Sequence, residues 1–235
     1  MPVISKRLSC IAEFVQKGAK VCDVGTDHGY LAIHLVKNGI AKSVIATDIH
    51  EKPLSNARKN IESAGVFGIE LRLCDGLSGI KKGETDTVII AGMGGEVISD
   101  IVEKGINITA EKDISLILQP TTSPEFLRRF LYGNGYEIEN EKPVFENGKL
   151  YSVILVKYVG KKTDMAESFY YIGKVKPSCE AGLMYIKKQQ KRCEDCMKSL
   201  KSITEKKEDF LRYKTAFYGI ENYLKSFAEE NSNGV

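Results

Sequence analysis

Five short apolar runs, most of them followed by an amphipathic stretch, constrain this chain more than any other feature. The runs AKVCDVG, SVIATDI, IELRLCDG, DTVIIAGMGG and SLILQP are the length of strands, and their near-continuous apolar character is that of strands buried on both faces. Between and after them, GYLAIHLVKNG, KPLSNARKNIESAG, GEVISDIVEKG and PEFLRRFLYGNG have helical periodicity. Proline stands near the start of two of these (Pro53, Pro124), and glycine at the ends (Gly39, Gly65, Gly133 or Gly135). Buried strands alternating with amphipathic helices predict an α/β fold, a parallel sheet covered on both faces. The last run, YEIENEKPVFENGKLYSVILVKYV, is different: two strand-like segments meet at Glu146-Asn147-Gly148, a hairpin turn signal.

Strand–helix units closed by an antiparallel pair are the layout of class I (Rossmann-like) methyltransferases. A nicotinamide-binding Rossmann sheet adds a sixth parallel strand instead. Ahead of the first strand, residues 1–16 read as a short helix with Leu8, Ile11, Ala12 and Val15 on one face. Beyond Gly160 the pattern changes to mostly apolar residues spaced alternately three and four apart, with Gln190 as the polar member. Positions 183, 186, 190, 193, 197 and 200 form one such series, and 210, 213, 217, 220, 224 and 227 a second. The registers do not join across Glu205–Glu208, so the expectation is two helices folded back as a coiled-coil hairpin, with one long bent helix as the alternative. The expected organisation is a methyltransferase domain over 1–160 and a helical coiled-coil domain over 161–235. Charge follows the same division, with a net −1 before residue 161 and +4 after it. A neutral body with a basic tail permits a polyanionic partner.

The glycine-rich loop sits in VCDVGTDHGYL. Asp23 ends an apolar run, and Gly25 and Gly29 follow, with Thr26-Asp27-His28 between them. A dinucleotide fingerprint would place a third glycine there so that phosphates could approach a helix N-terminus; Asp27 would repel them. S-adenosylmethionine has no phosphate, and its sulfonium and α-ammonium groups are helped by nearby carboxylates. Asp48 ends the second strand, nineteen positions after Gly29, where an acid can accept from both ribose hydroxyls. Asp75-Gly76 ends the third strand, placed for the exocyclic amine of adenine. Gly92-Met93-Gly94 brings bare backbone to the end of the fourth. The expected cofactor set is Asp23, Gly25, Thr26, Gly29, Asp48, Ile49, Asp75, Gly76 and Gly92.

Together SKRL, DVGTDHGYLAIHLV, ATDIHEKPLSNARKNI, RLCDGL, IAGMGG and LILQP resemble the bacterial TrmK family, over essentially the whole chain. Members are tRNA adenine-N1 methyltransferases that act on adenine 22, with a class I domain followed by a coiled coil. Ala32 stands where the family often has proline after the Tyr-Leu pair. The resemblance implies that Asp27, His28 and Tyr30 line the mouth between cofactor and target adenine. Asp27 is then the candidate for stabilising the cationic product ring, Tyr30 for stacking on an extruded base, and His28 for a hydrogen bond or a structural role. Met93 and Gly94 occupy the place of the Asn/Asp-Pro-Pro-aromatic motif of related enzymes, so backbone groups are expected to hold the base.

Lys6 and Arg7, ahead of the first helix, and Lys187, Lys188, Lys191 and Arg192, on the arm, are candidate contacts to tRNA phosphates. His34 and His50 read as ordinary polar residues. Cys193 and Cys196 form a lone C-x-x-C with no second ligand pair, so no metal is expected and the six cysteines read as reduced thiols. No apolar run reaches the roughly 20 residues of a membrane span. MPVISKRLSC lacks a signal-peptide core, so the expected location is the cytoplasm. Three other readings compete: a catalytically inactive scaffold that docks a partner through its coiled coil, a small-molecule methyltransferase, and an NAD enzyme. The first would be favoured by failure to bind the cofactor, the second leaves the basic arm without a role, and the third is opposed by Asp27 and the closing hairpin.

Overall fold

Ser5 accepts a hydrogen bond from the Leu8 N–H and so caps the first helix of the computed structural model, which describes residues 4–232. This helix, α1 (Lys6–Ala12), is shorter than the expected 1–16, and residues 1–3 of that expectation lie outside the described residues. Lys6 and Arg7 are its first two residues rather than a segment preceding it.

There follow β1 (Ala19–Val24), α2 (Tyr30–Lys37), β2 (Ala41–Asp48), α3 (Glu51–Ala64), β3 (Ile69–Leu73), β4 (Thr87–Gly94), α4 (Gly95–Lys104), the single turn α5 (Ile106–Thr109), β5 (Ser115–Thr122) and α6 (Pro124–Gly133). The hairpin is β6 (Tyr136–Glu146) and β7 (Lys149–Tyr158). All seven strands form one sheet in the order β3-β2-β1-β4-β5-β7-β6. The first five are parallel, while β7 runs antiparallel to β5 and to β6. Apolar clusters cover both faces, one built on Val88, Ile90, Ile98 and Leu127, the other on Ile11, Val21, Leu35 and Ile89. Reversal of strand order at β1/β4 opens a crevice at the carboxyl ends, where sheets of this kind bind ligands.

Three further helices, α7 (Glu167–Ile172), α8 (Glu180–Leu200) and α9 (Lys207–Ser232), complete the described residues, with a 3-10 turn at Thr204–Lys206. The chain folds back between α8 and α9 where the two series fall out of register. Cys193 and Ile186 of the first series are buried, and so is Ile220 of the second. The single-seam reading of α8 needs correcting, because Tyr185 and Gln189 are buried as well. This helix has two neighbours, α9 on one side and the body on the other.

A buried ion pair within the body anchors these helices to it. Arg128 of α6 is fully buried and donates to Glu141 Oε1 of β6 (2.5 Å), the Tyr170 and Tyr171 carbonyls of α7 (2.7 and 3.0 Å) and the Tyr185 hydroxyl of α8 (2.8 Å). The other Glu141 oxygen accepts from the Lys174 N–H (3.1 Å). A Cβ on Gly173 would lie 1.8 Å from it, which fixes glycine there. Among the described residues, no helix is long and apolar enough to cross a membrane.

Candidate functional site

Asp23 lies in the last turn of pleat before β1 ends, paired with Ala46 on one side and Ile89 on the other. Its side chain is almost completely buried, and burial pushes its carboxyl up to about 6 despite a hydrogen bond from Thr26. The first two N–H groups beyond the strand end, of Gly25 and Thr26, both bond the Thr47 carbonyl of β2 (2.8 and 2.9 Å). This folds the loop over the sheet and requires φ +76° at Gly25. A side chain at Gly25 would also meet the Met93 Cε at 2.2 Å, so the β1 and β4 loops interlock at this point.

A cavity of about 450 Å³ opens above Asp23. It brings together Asp23, Gly25, Thr26, Asp27, His28, Gly29 and Tyr30 of the first loop with Gly92 of β4. Asp27 is mostly exposed, its Oδ2 lies 3.3 Å from His28 Nε2, and the His28 and Tyr30 rings stack at 5.3 Å with 23° between planes. One lip is therefore a carboxylate, an imidazole and a phenol in series, with Tyr30 38% exposed.

The other lip was not legible in the sequence. Arg7 lines the cavity, where Gln119 Oε1 accepts from its Nη1 (2.6 Å) and Glu146 accepts from its backbone N–H (3.0 Å). The same Gln119 oxygen accepts the Gly92 N–H (3.1 Å), while its amide donates to the Pro120 carbonyl (2.8 Å). Fully buried, Gln119 thus ties α1 to the β4 loop. Arg7, expected as a phosphate contact, is held in the wall of the site by Gln119 and Glu146. Expected backbone contacts to the base are restricted too: the Gly92 N–H is taken by Gln119 and the Met93 carbonyl by Thr121 Oγ1 (3.0 Å). Gly94 caps α4.

The remaining expected cofactor residues lie outside this cavity, at the ends of β2 and β3. Asp48 Oδ1 accepts the His50 N–H (2.8 Å), and the Asp48 carbonyl accepts from Cys74. Asp75 is exposed, Gly76 adopts φ +55°, and Ile49 and Leu73 expose 56% and 57% of their surface. Such a group suits a nucleoside: carboxylates to accept from ribose and amine, apolar side chains to cover a ring. The buried, anion-disfavouring pocket of Asp23 suits a cation. These residues fit S-adenosylmethionine.

On the arm, Lys187 and Lys188 are exposed. Lys191 pairs with Glu194 and Asp195. Arg192 makes a two-point ion pair with Glu125 (2.6 and 2.9 Å) that braces α8 against α6 while leaving part of its side chain exposed. Burial pushes the Cys193 thiol up to about 12, which keeps it protonated at neutral pH.

Residues 4–154 match the methyltransferase-domain family. A Bacillus subtilis tRNA (adenine(22)-N(1))-methyltransferase is 39% identical over 155 residues, 66% of this chain and 65% of that protein's length. The crystal structure of Streptococcus pneumoniae Sp1610, a candidate tRNA (m1A22) methyltransferase, superposes with a TM-score of 0.79 at 33% identity, covering 94% of this chain and 99% of that one. The same protein has been solved in complex with S-adenosyl-L-methionine (TM-score 0.77). The structure of the B. subtilis m1A22 tRNA methyltransferase TrmK matches with a TM-score of 0.77 at 28% identity, covering 97% of this chain and 99% of that chain.

Proposed function

The chain belongs to the TrmK family of methyltransferases, and on that premise we propose that it transfers a methyl group from S-adenosylmethionine to N1 of adenine 22 in tRNA. The observation that carries this reading is the buried Asp23 carboxylate at the floor of a cavity whose rim is Asp27, His28 and Tyr30. A cation-seeking floor beneath an aromatic, acidic rim suits a cofactor and a base meeting face to face.

When bound, the cofactor supplies an electrophilic methyl group on a sulfonium sulfur. Asp23 offers the charge partner for its cationic end, and Gly25, Thr26, Gly29 and Gly92 the loop backbone around it. Asp48 accepts from the ribose, and Ile49, Asp75 and Gly76 receive the adenine. Adenine N1 is nucleophilic as it stands, so the chain needs no general base. Its contribution is orientation and charge. Tyr30, already stacked on His28, offers its exposed surface to a base drawn out of the tRNA. The Asp27 carboxylate stabilises the positive charge that the ring acquires on methylation. Met93 and Gly94 contribute backbone beside the base.

Residues 1–160 then serve as the catalytic domain and 161–235 as a helical coiled-coil arm. Lys6, Lys187, Lys188 and Lys191 contact tRNA phosphates, and the cytoplasm is the place of action. Incubation with S-adenosylmethionine and an unmodified transcript bearing adenine 22, followed by nucleoside analysis, tests the reading. 1-Methyladenosine is expected from that transcript and none from a guanine-22 control. Cofactor binding without methylation of either transcript would point to another acceptor, and absence of cofactor binding to a scaffold.

A further inference from the structure

A second cavity, of about 420 Å³, lies beside the candidate catalytic one and shares Tyr30 with it. Leu31, Ala32 and Leu35 of α2 are buried in the core, and a separate stripe of the same helix, Tyr30, Ile33, His34 and Lys37, forms one wall of this cavity. Asn60 and Ser63 of α3 stand in the other wall. Asn60 also ties that wall to the rim of the first cavity, because its Nδ2 donates to the His28 carbonyl (2.9 Å).

The amide of Asn38 settles which nitrogen of His34 carries the proton. Its Nδ2 donates to the His34 carbonyl (2.8 Å), an oxygen that can only accept, and the same Nδ2 lies 3.2 Å from His34 Nδ1. Nδ1 therefore accepts, and the neutral ring carries its hydrogen on Nε2. Partial burial holds the His34 imidazole below the usual histidine range, which favours that neutral form. Among the described residues, neither His34 Nε2 nor Asn60 Oδ1 has a hydrogen-bond partner. The cavity is thus bordered by one free donor and one free acceptor, with Ile33 and the Tyr30 ring as apolar surface and no carboxylate in its lining. A donor and an acceptor beside apolar surface match the edge and the face of a nucleobase. An anion would meet the Asn60 oxygen as like charge, with Lys37 as its one cation.

We propose that this cavity receives the base of a nucleotide adjoining the target adenine, with His34 Nε2 donating to its edge, Asn60 Oδ1 accepting from it and Ile33 against its face. The assignment deepens the tRNA reading above and rests on it. Tyr30, common to both cavities, then stands between two neighbouring bases. Methylation kinetics on transcripts with an abasic nucleotide on one side or the other of adenine 22 test it, with S-adenosylmethionine affinity and melting temperature as the controls for a folded catalytic domain. In the wild type, one of the two abasic transcripts should lose about tenfold in kcat/KM, as a stacked and hydrogen-bonded base is removed. His34→Ala should lose about fivefold on the intact transcript and only about twofold more when that same base is absent, because both changes delete one contact. Ser63→Trp, at an exposed position, fills the cavity and should show the same coupling. Losses that simply multiply in both variants would overturn the subsite, and so would equal wild-type rates on the intact and the two abasic transcripts. A wild-type protein that binds cofactor but methylates no transcript removes the tRNA reading itself and the subsite with it.

Discussion

Replacing Asp23 with asparagine separates the stability of the fold from its use. The Asp23 carboxyl, ordinarily near 3.8, is raised to about 6 in the folded chain by desolvation. The folded state therefore holds the proton more tightly than the unfolded chain between those two values, and stability falls as pH rises through the window. A shift of this size amounts to about 3 kcal/mol, fully imposed above pH ~6 and absent below pH ~4. At 6% exposure Asp23 has little solvent to screen it. About half of the cost is already present at pH ~5, so the remainder, about 1.5 kcal/mol, develops between pH ~5 and ~7.5. For a chain of this size that is roughly 3–6 °C of melting temperature. Asparagine removes the titration but brings an amide with its own, pH-independent demands. The diagnostic quantity is accordingly the difference in melting temperature between Asp23→Asn and wild type, followed by calorimetry across this range. It should move in favour of the variant by those few degrees from pH ~5 to ~7.5. Cofactor affinity, measured by titration calorimetry at pH ~7.5, should fall roughly tenfold or more as a charged hydrogen-bond partner is lost. A melting difference flat in pH, or a variant that binds S-adenosylmethionine as wild type does, would refute the assignment of Asp23 as a strained, cation-seeking floor.

Arg128→Met strands the Glu141 carboxylate in the interior and should cost about 3–5 kcal/mol in urea unfolding; a loss below 1 kcal/mol would mean that water reaches the pair. Gln119→Leu leaves the Arg7 guanidinium and the Gly92 N–H without their shared acceptor. It should lower kcat/KM about 10- to 100-fold, and near-normal turnover would show that α1 does not shape the site. Gly25→Ala should destabilise by about 1–2 kcal/mol from backbone strain alone, with further loss from the Met93 clash. Met93→Ala in the same chain should recover that further loss in thermal melts, and no recovery would discount the interlock of the two loops.

Much of the catalytic end was legible because its signals are local. A continuous apolar run followed by an acid or a glycine marks a strand end whatever surrounds it, and four such ends fall at the carboxyl edge of one sheet. Asp23, Gly25, Asp27 and Tyr30 line one cavity because a single tight loop carries them all. Gln119 and Glu146 escaped because each is a lone polar residue whose meaning depends on a distant partner: Gln119 interrupts an apolar strand, and Glu146 ends a hairpin strand beside its turn. Arg128 and Glu141 escaped for the same reason. In PEFLRRFLYG and YEIENEKPVFE they occupy positions that amphipathic periodicity assigns as readily to solvent. The Glu125 partner of Arg192 escaped because periodicity of α8 was read against one neighbour. A helix packed on two sides buries two stripes, and the second stripe, Tyr185 and Gln189, carries polar atoms that no hydrophobic pattern predicts.

That second stripe bears on how an enzyme of this kind could select one adenine in a large RNA. Arg128 joins α6, β6, α7 and α8 in a single buried network, and Glu125–Arg192 adds a second brace between α6 and α8. The near half of α8 is therefore fixed to the element that follows β5, and β5 carries Gln119, which positions Arg7 and Gly92 in the catalytic wall. Lys187 and Lys188 sit between the two braces, at Tyr185 and Arg192, so their distance from the cavity is set by side chains that cannot move independently. The far end of the hairpin, Lys201 to Glu208, is exposed throughout and lacks such anchors. On the proposed function, a substrate gripped by the near half is held in register with the candidate catalytic cavity, whereas contacts at the far end add affinity but impose little geometry. This arrangement, on the function proposed above, places the choice of adenine close to the body, in Lys187 and Lys188 of the braced half of α8, and leaves the length of the arm mainly to hold the tRNA.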